Sequence, residues 1–148
     1  MKLLKDILYK VAILEVRGST NVEVSDIAFD SRNVVEGGVY VAQKGLKVDG
    51  HDFIAGSITK GAIAIICEDL PSEMPESVTF VKVKSTHEAL AFLAANFYDN
   101  PSEDIQLVGV TGTNGKTTTV TLLYNLFKKL GYKVGLLSTV VNYIDEKE

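Results

Sequence analysis

The run Thr111-Gly112-Thr113-Asn114-Gly115-Lys116-Thr117-Thr118 lies between an apolar, β-branched segment and an amphipathic one, and it restricts the fold more than any other stretch of the chain. Upstream, Ile105-Gln106-Leu107-Val108-Gly109-Val110 reads as a buried parallel strand. Downstream, Val120, Leu123, Phe127 and Leu130 recur at helical spacing, joined by Leu122 and Leu126, and Gly131 stands where a left-handed C-terminal cap would go. The expected order is therefore strand, glycine loop, helix. A helix start leaves backbone N–H groups without partners and carries the positive end of the macrodipole, so it favours an anion. Gly112 and Gly115 allow the backbone to curl around a phosphate with no Cβ in the way. Lys116 would reach the β- and γ-phosphates, and the Thr117 hydroxyl would take a Mg²⁺ that bridges them. ATP, not a dinucleotide, is the expected guest.

A chance G-x-x-G-K-[ST] in a chain of this length has odds on the order of one in two hundred. The bland alternative is a glycine turn followed by a surface lysine. The common P-loop pattern also wants glycine five positions before Gly115, where Val110 stands, with Gly109 one residue too early. The loop is a shortened variant.

At 148 residues the chain has room for one ordinary domain or two small ones, and 46% hydrophobic residues suffice for packed cores. Its 15 basic and 19 acidic side chains give a net charge of −4, which argues against a nucleic-acid footprint but permits a nucleotide-sized ligand. Residues 1–8 break their apolar positions with charges and read as an amphipathic helix running to about Tyr9, not a signal peptide. No run approaches the roughly 18 to 20 apolar residues of a membrane span, so a soluble, cytoplasmic protein is expected. Cys67 ends an apolar run and reads as a packed, inert thiol. With one cysteine and two distant histidines, His51 and His87, the chain cannot populate a structural zinc site.

Two units are expected, 1–101 and 102–148, with the seam at Tyr98-Asp99-Asn100-Pro101-Ser102, because Asn100 before Pro101 is biased away from helix. The first reads as a small α/β domain. Strand-like runs cover Val11 to Val16, Val22 to Phe29, Val39 to Ala42, Ala62 to Cys67 and Val78 to Val83, and a helix from Phe53 to Lys60 stops at Gly61. Ser85-Thr86-His87-Glu88 fits a capping box for a helix through Leu90, Leu93 and Phe97, with His87 a solvated residue of its first turn. The second unit reads as one βαβ unit, with a second strand at Lys133 to Val140 and a charged tail from Tyr143 to Glu148. One such unit leaves sheet faces uncovered, so a fragment of a larger domain is expected.

Asp30-Ser31-Arg32, Gly37-Gly38-Val39-Tyr40-Val41-Ala42, Lys44-Gly45 and Asp49-Gly50-His51-Asp52-Phe53-Ile54, taken in that order, resemble the N-terminal domain of the Mur ligases. The shortened loop 111–118 is similar to theirs as well. With Asn100-Pro101-Ser102, 107–110 and 135–139, the match is nearest the MurE branch, which adds the third amino acid of the peptidoglycan stem peptide. The resemblance implies an ATP-dependent amide ligase. In that family ATP phosphorylates the terminal carboxylate of UDP-N-acetylmuramoyl-L-alanyl-D-glutamate, and the amine of a diamino acid, meso-diaminopimelate or L-lysine, attacks the acyl phosphate. It further implies that Lys116 is catalytic and that Gly112, Thr113, Asn114, Gly115, Lys116, Thr117 and Thr118 bind ATP, with Thr117 on the magnesium. Ser31 would hydrogen-bond the uridine, with Phe29, Leu46, Lys47 and Val48 lining the same site. Some relatives carry histidine and glutamine where Leu46 and Lys47 stand. On the residues alone, Asp30-Ser31-Arg32 also reads as a capped turn with an Asp30–Arg32 ion pair. The second-magnesium ligands and the domain that selects the amino acid are expected beyond Glu148, so these 148 residues alone are not expected to turn over.

Three other readings stay open. One is a MurF-type ligase, although Thr113 leans toward the MurE branch. A small-molecule kinase would want an acceptor-site acid soon after the second strand, and none precedes Asp145. A non-catalytic UDP-sugar-binding module would not need intact Lys116 and Thr117.

Overall fold

The computed structural model describes residues 2–45 and 48–144, and contacts divide the chain into two compact units, residues 1–105 and 106–148. The first unit begins with β1 (Lys2–Leu3), α1 (Leu4–Ile7), β2 (Ile13–Arg17), β3 (Glu23–Val24) and β4 (Ile27–Ala28). It continues through β5 (Val39–Val41), a 3₁₀ turn at Gly50–Phe53, α2 (Ile54–Thr59), β6 (Ala64–Cys67), β7 (Thr79–Val83) and α3 (Thr86–Phe97). Its sheet has the order β2-β7-β6-β5-β4. Strands β4 to β7 run parallel, and β2 closes one edge antiparallel to β7, with an irregularity between Ile13 and Glu15.

The period-two geometry of the strands sorts this sheet's side chains onto two faces. Val39, Val41, Ala64, Ile66, Val81 and Val83 pack with Leu4 and Ile7 of α1 and Ala89 and Leu93 of α3. Tyr40, Ala42, Ile65, Cys67 and Phe80 face the other way, against Ile54 of α2. Strands covered on both faces must be apolar at every position, which is why 64–67 carries no polar residue. Ser85 accepts from the Glu88 N–H at 3.3 Å, half of the expected capping box. The other contribution comes from outside the helix, where the Glu68 carboxylate takes the Thr86 N–H (2.9 Å) and hydroxyl (3.0 Å).

Two expectations need correction. The N-terminal helix to Tyr9 is a single turn, because Lys2–Leu3 is drawn into pairing with Glu23–Val24 while Leu4 and Ile7 plug the core. In the second unit no parallel βαβ arrangement forms among the described residues. Residues 106–110 are unpaired, and Leu107 and Val108 are exposed. Strand β8 (Gly135–Leu137) forms an antiparallel hairpin with β9 (Asn142–Ile144). A buried parallel strand needs neighbours on both sides and cover on both faces, and the apolar residues of this short unit do not supply them.

Helix α4 (Lys116–Lys129) also presents a different face from the one its leucines suggest. Tyr124 is buried and stacks on Tyr143 at 5.4 Å, while Leu122, Leu126 and Leu130 are exposed. The expected cap is present. Gly131 is left-handed, its N–H reaches Lys128 O (3.0 Å), the Tyr132 N–H reaches Phe127 O (3.1 Å), and the Phe127 and Tyr132 rings meet edge-on. The tail 145–148 lies outside the described residues.

Candidate functional site

Parallel strands β4 to β7 bring four loops to their carboxyl ends, the edge at which open α/β sheets take their ligands. These loops are 29–33 after β4, 42–49 after β5, 68–69 after β6 and 84–85 after β7, which leads into the first turn of α3. Phe29, Ser31 and Val48 therefore share one edge of the sheet. Phe29 and Val48 are exposed apolar residues there, and the Ser31 hydroxyl has no hydrogen-bond partner among the described residues. Leu46 and Lys47 lie outside the described residues.

The loop after β4 is both the capped turn and the ion pair that its residues suggest. Asp30 Oδ1 accepts from the Arg32 N–H at 2.9 Å, the Asn33 N–H reaches Asp30 O at 3.0 Å, and Arg32 Nη2 meets Asp30 Oδ2 at 2.6 Å. Hydrogen bonds from the Arg32 side chain and backbone hold the Asp30 carboxyl down at about 2. Lys60 Nζ donates to Ser31 O at 2.6 Å, a bond that engages the Ser31 backbone and not its hydroxyl. The Tyr40 phenol is pushed upward by burial and by Asp30 and Asp49, so these two carboxylates face it from the first two loops.

The loop after β5 is tied down more heavily than its residues suggest. Gly45 N–H reaches Val48 O at 3.0 Å, Gly50 N–H reaches Gln43 O at 2.8 Å, and Tyr40 Oη donates to Gly50 O at 2.9 Å. Asp49 accepts from the His51 backbone at 2.9 Å and lies 2.6 Å from His51 Nδ1. On the other side of that ring, Nε2 accepts the Glu68 N–H at 3.0 Å and faces the Asp69 N–H at 3.3 Å. Lys44 Nζ pairs with Asp69 at 2.6 Å, so hydrogen bonding to that residue raises the lysine and lowers the aspartate. Gln43 Nε2 stands 3.2 Å from His87 Nδ1, so His87 is not the purely solvated residue expected. Sequence reasoning included Lys44 and His51 in the motifs of this loop but gave them no contacts, and it missed Glu68 as a member of this edge. The Asp49-x-His51 spacing hints at the local bond, but nothing local points to residues 68 and 69.

Cys67, beside this edge, is fully buried, and burial pushes its thiol up to about 11. It stays protonated and inert at neutral pH.

In the second unit the glycine loop leads directly into α4. Gly115 is the N-cap residue in a left-handed conformation, no side chain caps the helix, and the first intrahelical bond runs from the Thr119 N–H to Gly115 O at 2.9 Å. Lys116 Nζ folds back onto Gly112 O at 2.5 Å, with Thr113 O at 3.4 Å. The ammonium thus lies on the loop's own carbonyls, and the first turn of the helix has no side-chain cap. Thr117 Oγ1 has no partner among the described residues, and its backbone O accepts from Thr121 Oγ1 at 2.8 Å. No group of three or more His, Cys, Asp or Glu side chains that could hold a metal occurs among the described residues. A Mg²⁺ here would depend on the Thr117 hydroxyl and on oxygens brought by a polyphosphate. No helix among the described residues is long and apolar enough to cross a membrane.

A parallel-rich α/β sheet, followed along the chain by a glycine loop that leads into a helix start with no side-chain cap, defines a mixed α/β protein. The chain belongs to the Mur ligase family: residues 23–98 match the model described as "Mur ligase family, catalytic domain", and residues 110–148 match "Mur ligase middle domain". It is 57% identical, over 97% of its length, to 30% of a UDP-N-acetylmuramoyl-L-alanyl-D-glutamate–2,6-diaminopimelate ligase from Cytophaga hutchinsonii. A protein of the same name from Bacteroides fragilis is 48% identical over the same share. The chain thus spans about 30% of the length of the curated relatives it matches. Among solved structures, a ligase of that name aligns over 97% of this chain and 28% of its own with a TM-score of 0.74, a likeness of fold at 19% identity. A MurF ligase from Thermotoga maritima, solved in complex with ADP, is 39% identical, covers 72% of this chain and 24% of its own, and has a TM-score of 0.55.

Proposed function

We propose that this chain is the N-terminal part of a cytoplasmic, ATP-dependent amide ligase of peptidoglycan precursor synthesis. Its first unit takes UDP-N-acetylmuramoyl-L-alanyl-D-glutamate, and its second begins the ATP-binding domain. The observation that carries the reading is the helix start at Lys116, where the lysine lies 2.5 Å from Gly112 O in the glycine loop and no side chain caps the helix. The relatives' printed names favour 2,6-diaminopimelate over L-lysine as the amine that is added.

The chemistry asks little covalent work of these residues. Forming the acyl phosphate moves a γ-phosphoryl group from ATP to the substrate carboxylate, and catalysis is positioning plus charge neutralisation. The amides of 112–118 and the Lys116 ammonium hold the phosphate tail, and Thr117 offers one oxygen to Mg²⁺, which when bound offsets charge on the β- and γ-phosphates. Ser31, Phe29 and Val48, with Leu46 and Lys47 in the same loop, hold the uridine. On this reading the amine-selecting residues and the further metal ligands belong to the remaining length of such ligases, of which this chain spans about 30%, and the 148 residues are expected to bind without turning over.

Calorimetric titration with the muramoyl nucleotide and, separately, with ATP-Mg²⁺ tests the reading. Both ligands are expected to bind, and Lys116→Ala is expected to weaken ATP by about tenfold to a hundredfold, the worth of a hydrogen-bonded charge. Binding of ATP alone would point to a kinase, binding of the nucleotide alone to a non-catalytic module, and unchanged ATP affinity in the lysine variant would overturn the phosphate-loop role.

A further inference from the structure

We propose that His51 is a positioning residue for the substrate loop, a strap that fixes the loop's neck at Lys44 and Asp49 to the carboxyl end of β6. The ligand of that loop rests on the function proposed above, but the strap does not. A backbone N–H can only donate. The Glu68 N–H at 3.0 Å from Nε2 therefore requires a lone pair there, and the single ring proton lies on Nδ1, pointing to Asp49 Oδ1 at 2.6 Å. The ring transmits one hydrogen bond from each side. Asp49 is also the base of the loop, bridging to Lys44 across its neck, and it receives the His51 N–H at 2.9 Å. Glu68 in turn uses its carboxylate to cap α3 through Thr86. His51 thus links the loop after β5 to the stub after β6 and, through Glu68, to the start of α3. The only other side-chain link from the loop neck to that stub among the described residues is the Lys44 ion pair with Asp69, with Glu68 at 3.9 Å, a contact that water and salt screen. The His51 side chain is 13% exposed, so its two bonds are largely shielded from competition by water.

The ring's two roles can be separated by substitution. Gln at position 51 reaches as far as Nε2 and can accept from Glu68, whereas Asn reaches only as far as Nδ1 and serves Asp49 alone. On the full 148-residue chain, ¹⁵N NMR of the ring reads the tautomer, and amide exchange of Gly45 and Gly50 reads the order of the loop. The strap predicts a protonated Nδ1 and an unprotonated Nε2. It also predicts that His51→Asn, which loses the bond to Glu68, speeds exchange at Gly45 and Gly50 by about tenfold, the worth of one lost bond, with Ile66 and Val81 unchanged, and that His51→Gln, which keeps Glu68 while the residue-51 N–H keeps Asp49, stays near the parent. Affinity for the muramoyl nucleotide is expected to fall in the same order. A ring proton on Nε2, or equal loop exchange in His51→Asn and the parent, overturns the strap. Equal nucleotide affinity in both, with the loop loosened, overturns its role in the substrate site. Loosening of the loop in His51→Asn, when the parent itself binds no muramoyl nucleotide, leaves the strap standing and removes the proposed function instead.

Discussion

A Cβ on Gly50 would stand 2.6 Å from Gln43 O and 2.7 Å from Gln43 N, so any other residue there forces the backbone of the neck to shift. The close approach is what lets the Gly50 N–H close the loop neck on Gln43 O and lets Tyr40 reach Gly50 O. Gly50→Ala is expected to cost about 1–3 kcal/mol through overpacking, read as a lower urea midpoint at unchanged slope. Asp30 makes a different prediction. Its folded-state value of about 2 lies below the ordinary 3.8, so its contribution is present above pH 3.8 and is lost as pH falls toward 2. NMR titration of the Asp30 carboxyl should find that midpoint, and Arg32→Ala, which removes the largest cause, should return it toward 3.8. A midpoint unmoved by Arg32→Ala would mean that the ion pair is not formed in solution.

At the scale of elements, what was legible depended on whether the signal was local. Strands β5 to β7 announce themselves because runs such as 62–67 are apolar throughout, and the Gly131 cap announces itself because only a left-handed position asks for glycine at the end of a helical stripe. The start of α4 was legible for the same reason. The register of that helix was not. Leu122, Leu126 and Leu130 share helical spacing with Val120 and Leu123, and periodicity alone cannot say which arc meets the hairpin. Tyr124 wins because its ring can stack on Tyr143. The run 105–110 has every attribute of a strand except a partner, and pairing is a property of the sheet, not of the segment. In the candidate site, the capped turn at 30–32 and the glycine loop ahead of α4 were legible in their own residues, and the role proposed for Ser31 came from the family resemblance alone, whereas the His51–Glu68 contact joins residues brought together only by the β5–α2–β6 crossover. Helix α3 offers a direct test of packing. Leu93 is fully buried between α3 and the sheet, and Leu93→Ala is expected to cost about 2–5 kcal/mol by chemical denaturation.

Over the whole chain, stability is expected to be uneven, because burial is. The first unit packs apolar clusters on both faces of its five-stranded sheet, while in the second only Tyr124 and Leu136 are buried hydrophobics among the described residues. Leu107, Leu137 and Val140 are each more than three-quarters exposed. At about 25 cal/mol per Å² of apolar surface buried, so small a buried set does little to offset a backbone ordering cost of roughly 1–2 kcal/mol per residue. Units of this size are marginal without further cover. Native-state hydrogen exchange should therefore separate the two. Amides of 64–67 and 79–83 should exchange only through global opening, and those of 116–129 through local opening at a small fraction of that free energy. ATP-Mg²⁺ at saturation should slow exchange in the second set, starting at its first turn, and leave the first set unchanged, because a ligand stabilises the state that binds it. If 116–129 were as protected as 79–83 before any nucleotide was added, burial would be a poor guide to the order of this chain, and the weight placed on the exposed leucines of α4 would go with it.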